Sequence, residues 1–327
     1  MPSASGGTRV STRSPPGSTR WRGSRSVETA RRPSSPWRRR TRLFGQRGVA
    51  WSADFVDLLA KEYGAALRGV DFRGATEEAR VLVNDWVEER TEDRIVDLLA
   101  EGVLTTDTRL VLVNAIYLKA PWEEPFEKGL TARGDFHRAD GSSVAADLMR
   151  NPSASGTLRT GPGWRALTVP YAGRGTAMTI VLPDPGRFAA VERQAAEHGF
   201  AAFTTGGRHA AVDLTLPRWT SRTSASLVES LQSLGMRTAF TDAADLSPMT
   251  QQHLDLVVSD VVHQAFVAVD EEGTEAAAAT AAVVAATAVP VTEEFRVDRP
   301  FLFTIHDIEH GTPLFVGRVT DPTSAGS

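Results

Sequence analysis

From residue 43 onward, apolar and polar positions follow recognisable periods. Residues 51–63 place Phe55, Leu58 and Leu59 on one helical face and predict a helix. Leu67, Val70 and Phe72 predict a short alternating strand. Thr76 reads as an N-cap, with Glu77 and Glu78 at the positive end of a helix that buries Val81, Val83, Trp86 and Val87. That helix continues or restarts towards Ile95, Leu98 and Leu99. Residues 110–118 are nearly all apolar and read as a strand covered on both faces. Turn chemistry at Asp140 with Gly141, at Gly161 and Gly163, and at Gly173 and Gly175 separates further strands. One of them, 177–182, is stopped by Pro183 and Pro185. Residues 223–235 read as a helix with Leu227, Leu231 and Leu234 inward and Gly235 as its stop, and 254–269 as a long strand. Residues 301–305 and 314–319 form a hairpin around Gly311 and Pro313. The predicted class is α+β, with mixed, largely antiparallel β-sheets and surrounding helices.

Charge divides the chain. Residues 1–42 hold eleven Arg, no Lys and one acid, Glu28, a net +10, so the remainder carries −14 of the overall −4. The segment is rich in Arg, Ser and Pro and has no apolar period, a composition that cannot offset its ordering entropy, so 1–42 is expected to be disordered and 43–327 to form the domain. Three accounts of it stand open. A basic arm would touch nucleic acid or membrane through Arg31, Arg32 and Arg38 to Arg40. A signal peptide would need an apolar run of about 7–15 residues, which is missing. Translation out of frame or from a wrong start would give the same Arg, Ser and Pro bias. Nucleic acid is not expected as a partner. No stretch approaches the roughly 20 apolar residues of a membrane helix, and the absence of cysteine removes disulfides, thiolate metal sites and a catalytic thiol.

Enzyme chemistry finds no foothold. His306, Glu309 and His310 match H-x-x-E-H, but their flanks are strand-like, and residues four apart on a strand lie about 13 Å from each other, too far to share a zinc. Glu271 and Glu272 are adjacent, so on a strand they face opposite ways and read as a solvated face. No nucleophile elbow or phosphate-binding loop occurs. No metal, cofactor or small-molecule substrate is expected.

Two segments carry a resemblance. VDEEGTEAAAATAA at residues 269–282 resembles the serpin hinge, and FRVDRPFLFTI at 295–305 resembles the serpin C-terminal signature. NAIYLKAPWEEPF at 114–126, VNDWVEERTEDRI at 83–95, LPRWT at 216–220 and DLSPMT at 245–250 are similar to further serpin segments, in family order. The resemblance implies a hinge of Glu271, Gly273, Thr274, Glu275, Ala276, Ala277, Ala278, Ala279 and Thr280. It also implies that Trp122 lies at the breach where the loop enters, and that His263 and Asn114 form the shutter. The family's early helices, one of them behind the central sheet, have no counterpart before Leu43, which predicts an uncovered back face with exposed apolar surface.

The implied activity is serine protease inhibition by a suicide-substrate route. The protease attacks the exposed loop, and the cleaved loop enters the central sheet and traps the acyl ester. Thr274, Ala276, Ala278, Thr280, Ala282, Val284 and Ala286 share one face of an extended strand, and 276–289 holds no proline and no charge, so this loop can insert. Family spacing puts the cleaved bond between Thr287 and Ala288, or further along up to Val289. Small and apolar residues there suit elastase-like or subtilisin-like proteases rather than trypsin-like ones. A monomeric, extracellular inhibitor is the expectation. The alternatives are a decayed copy that neither folds nor inhibits, and a binding protein using the basic arm.

Overall fold

In the computed structural model the described residues are 37–63, 66–274 and 292–324. The chain opens with β1 (Trp37–Gln46), α1 (Ala53–Tyr63), β2 (Leu67–Val70), α2 (Thr76–Arg90), β3 (Leu110–Leu118) and β4 (Ala120–Pro121). A run of antiparallel strands follows: β5 (Ala132–His137), β6 (Ser143–Gly161), β7 (Trp164–Pro170) and β8 (Thr176–Pro183). After α3 (Phe188–His198) and α4 (Ala201–Thr204) come β9 (Arg208–Pro217), β10 (Trp219–Ser226), α5 (Val228–Ser233), β11 (Val261–Val269) and β12 (Gly273–Thr274). The last elements are β13 (Glu293–Arg296), β14 (Phe301–Asp307) and β15 (Pro313–Val319).

Two mixed sheets result. The first runs β2-β1-β3-β11-β12-β4, with β10 on the outer side of β11; the second runs β13-β9-β6-β7-β8-β14-β15, with β5 paired to β6. In the first sheet β3 and β11 are parallel, Leu112 to Tyr117 facing Val261 to Phe266. Side chains alternate across β3 as the pleat requires. Val111, Val113, Ala115 and Tyr117 pack into one core with Val83, Trp86 and Val87 of α2. Leu112, Asn114 and Ile116 point the other way and are only half-buried, as are His263 and Ala265 beside them. Leu112 packs against the small cluster of Leu43, Leu59 and Leu110, and Ile116 and Ala265 against the largest core, so the cover on this face of β3 is partial rather than complete. The largest core joins the two sheets and includes Leu118, Trp122, Tyr171, Trp219, Phe301 and Phe303.

Several local expectations need correction. The domain boundary after Arg42 falls inside β1, whose backbone pairs with β3 from Trp37↔Leu118 to Gly45↔Leu110. Ladder hydrogen bonds do not depend on side-chain polarity, so an Arg-rich stretch can still form a strand beside an apolar partner. Ala75 is the residue before α2, and the Thr76 hydroxyl donates back to the Phe72 carbonyl at 2.6 Å instead of capping. Leu58 and Val81 lie on exposed faces rather than inward. No helix continues α2; the buried Thr91 hydroxyl donates to the Val87 carbonyl and accepts from the Ile95 amide, and turns bring Ile95, Leu98 and Leu99 into the core. The helix expected over 223–235 shrinks to α5, because Thr223 to Ser226 belong to β10 and pair with β11. Leu234 is 84% exposed. The long strand expected from Leu254 begins only at Val261, where its partners in β3 and β10 begin.

Candidate functional site

β11 delivers the chain to a tight turn. The Asp270 carboxylate accepts from the amides of Glu272 (2.8 Å) and Gly273 (3.2 Å), and the Asp270 amide donates to the Gly273 carbonyl at 3.0 Å. A short acid that folds back on its own backbone is the usual way to fix such a turn. The turn reverses the chain, so that β12 lies antiparallel between Val269 and β4, with Thr274 opposite both Val269 and Ala120. Gly273 has φ +154°, and a Cβ there would run into the Ala120 carbonyl, Pro121 Cα and the Trp122 amide. Only glycine fits.

The turn's carbonyls are all engaged. Trp122 donates its Nε1 to the Asp270 carbonyl (3.0 Å) and its amide to the Glu272 carbonyl (2.9 Å), while the Phe126 amide donates to the Glu271 carbonyl (2.8 Å). The Trp122 indole stacks on Tyr171 with centroids 4.6 Å apart and meets Phe126 edge-on at 6.1 Å. Thr274 is fully buried, its hydroxyl 2.6 Å from the Tyr171 hydroxyl. Burial pushes the Tyr171 pKa up, against a smaller opposing effect of the Thr274 bond, so the phenol stays protonated and able to donate. Tyr171→Phe leaves the Thr274 hydroxyl without its side-chain partner among the described residues, and an expected loss of about 1–2 kcal/mol is measurable by urea unfolding.

Glu271 corrects the solvated reading of the carboxylate pair. The two side chains do diverge, but Glu271 is 2% exposed and held by the Arg218 guanidinium, Nε donating to Oε2 at 2.8 Å, and by the Thr131 hydroxyl at 2.5 Å. Burial alone would raise its pKa; the bonds from Arg218 and Thr131 outweigh that and hold it below the usual carboxylate range. Glu272 points outward to Lys128 Nζ at 2.6 Å. Further along the β3–β11 seam, Asn114 Oδ1 lies 3.1 Å from His263 Nδ1 and Asn114 Nδ2 donates to the Thr41 hydroxyl at 3.0 Å. Because the Asn oxygen only accepts, Nδ1 carries the imidazole proton, and burial lowers the His263 pKa.

The structure thus gathers Trp122, Glu271, Gly273 and Thr274 into one cluster and sets Asn114 beside His263. Glu275, Ala276, Ala277, Ala278, Ala279, Thr280, Thr287 and Ala288 lie outside the described residues. Sequence reading missed Tyr171, Arg218 and Thr131 as parts of the cluster. Arg218 sits within the LPRWT segment, the one signal available for it. The H-x-x-E-H residues have other partners: His306 Nε2 meets the Thr179 hydroxyl at 3.0 Å, and His310 Nδ1 meets Asp307 at 2.9 Å.

A family model described as Serpin (serine protease inhibitor) matches residues 24–322. Human Serpin B4 is 37% identical over 286 residues, covering 86% of this chain and 73% of its own. The leukocyte elastase inhibitor of Sus scrofa is 37% identical over 290 residues, covering 86% of this chain and 76% of its own. The crystal structure of Serpin48, a highly specific serpin of the insect Tenebrio molitor, superposes with a TM-score of 0.77 at 31% identity, covering 87% of this chain and 76% of that one. With its two mixed sheets and these matches in agreement, the chain belongs to the serpin family.

Proposed function

We propose that this chain inhibits serine proteases as a suicide substrate, its loop entering the seam between β3 and β11 after cleavage. Serpins are protease inhibitors rather than catalysts, and relatives named as inhibitors support inhibition in general. The observation that carries the finer reading is β12, a two-residue strand lodged antiparallel between β11 and β4.

Extending the two registers of β12 gives the same slot from either side. Thr274 opposite Val269 and Ala120 places Ala277 between Phe266 and Tyr117, and Ala282 between Val261 and Leu112. Phe266↔Tyr117 and Val261↔Leu112 are the first and last pairs that β3 and β11 now make. Entry of residues 277–282 therefore exchanges one short parallel ladder for two antiparallel ones. On this register Thr280 comes between Asn114 and His263 and parts their present contact. The slot accepts the run because those residues are small and uncharged. Cleavage falls between Thr287 and Ala288 or up to Val289, the targets are elastase-like or subtilisin-like, and the ester to the protease is the trapped covalent product, in the extracellular setting that the family resemblance implies.

The test is incubation of the full chain with pancreatic elastase and with subtilisin, followed by SDS gels and mass mapping. A complex that survives SDS, with cleavage between Ala286 and Val289, is the expected result. Digestion across the chain with no complex from either protease would sink the proposal.

A further inference from the structure

Outside the Trp122–Glu271–Thr274 cluster, four adjacent strands of the second sheet share one line of hydrogen bonds. Arg159 of β6 donates Nη1 to the Thr168 hydroxyl of β7 at 2.7 Å. The hydroxyls of Thr168 and of Thr179 in β8 are 2.6 Å apart, and the Thr179 hydroxyl lies 3.0 Å from Nε2 of His306 in β14. His306 Nδ1 is 3.3 Å from the Asp307 carbonyl.

With a guanidinium at one end and a carbonyl at the other, one order of donors runs unbroken through the line. A guanidinium only donates and a carbonyl only accepts. Thr168 therefore receives from Arg159 and gives to Thr179, Thr179 gives to Nε2, and Nδ1–H gives to the Asp307 carbonyl. This order requires a neutral imidazole. Protonation at Nε2 creates a donor facing a donor, and relieving it requires both hydroxyls to reverse, turning the Thr168 proton away from Thr179 and towards the guanidinium that donates to Thr168. Thr179 is fully buried and His306 is 6% exposed, so water does not readily repair the break.

We propose that His306 is an acid-responsive lock on the C-terminal hairpin, holding β14 to β8 while neutral and loosening β14 and β15 when protonated. The charged groups acting on it are Arg159 from β6 and Asp307 beside it on β14, and the Asp307 carboxylate is itself engaged by His310. β15 places Pro313 opposite it, and β8 places Ala177. Burial, the largest effect, lowers the His306 pKa, and the Arg159 charge adds to this; the carbonyl bond and the charge of Asp307 oppose it. A pKa lowered in the folded state contributes stability that is present above about 6.5, the ordinary histidine value, and lost as pH falls through the folded value. His263 is lowered by burial in the same direction, so the lock is read from a comparison with a variant rather than from the parent alone.

The experiment follows the imidazole NMR signals of the full chain from pH 8 to 5, with urea midpoints of the parent and of His306→Gln over the same range. The expected result is a His306 titration below the ordinary histidine value and a parent midpoint that falls more steeply with acid than that of the variant. Coincident pH profiles, or a His306 titration at or above the ordinary value, would overturn the proposal. Should His306→Gln not fold, Thr179→Val keeps the imidazole and removes the donor to Nε2. Its His306 is then expected to titrate at higher pH than in the parent, and an unchanged titration counts against the lock.

Discussion

Gly273→Ala is expected to lose about 3 kcal/mol or more of stability, from a backbone conformation that side chains other than glycine's do not adopt and from overpacking against β4. The added methyl has nowhere to go, since the atoms it meets are backbone atoms of Ala120, Pro121 and Trp122, which also hold β12 in the sheet. Relief requires β12 to leave its place between β11 and β4. On the proposed mechanism the same change abolishes SDS-stable complexes, because β12 is the end from which the inserted strand grows. Urea unfolding and the protease assay read the two effects separately. A variant within about 0.5 kcal/mol of the parent would mean that β12 is not held as described.

The second large effect belongs to Arg218→Met. Breaking a buried ion pair costs about 3–5 kcal/mol when it strands a charge. Arg218 is 43% exposed, so solvent screens part of the interaction and a loss of about 2–3 kcal/mol is expected. Acid changes the comparison in a definite direction. In the parent the Glu271 pKa is lowered, so its stabilisation is present above the ordinary carboxylate value and is lost as pH falls through the folded value. Without Arg218 the largest remaining influence is burial, which raises the pKa. The gap between parent and variant is therefore expected to narrow as pH falls through the carboxylate range, as followed by urea midpoints. Pairing Arg218→Met with Glu271→Gln removes the stranded charge, and recovery of part of the loss separates that penalty from damaged packing. A gap that stays constant with pH would place the effect outside the ion pair.

Elements whose stability comes from their own apolar pattern were legible in the sequence. β3, β8 and the β14–β15 hairpin fall where continuous apolar runs and turn residues predict them. β10 is different. Its sequence, WTSRTSAS, is polar because the strand lies at the edge of its sheet with much of its surface in water, and it is a strand only through its ladder to β11. The leucines after it keep a helical spacing that finds little core to face, so most of the predicted helix does not form. The hinge segment was legible as a motif, and its Gly273 and Thr274 form β12. The burial of Glu271 was not, because its partner Arg218 is 53 residues away and no local period connects them. The line from Arg159 to His306 is hidden for the same reason, since it exists only across strands whose register is set by tertiary packing.

The register of β12 also separates two kinds of variation. On the proposed insertion, residues 277 through 282 must pass between β3 and β11, so every substitution there is judged by whether it fits a slot of fixed width. Residues 285–289 fall past the last pair, Leu112 with Val261, and meet no such filter. Target preference can then drift, or be redesigned, in that outer stretch while the trapping machinery is left alone. An engineer changing the protease this chain recognises would leave the alanine run as it is and rewrite only the residues beyond it.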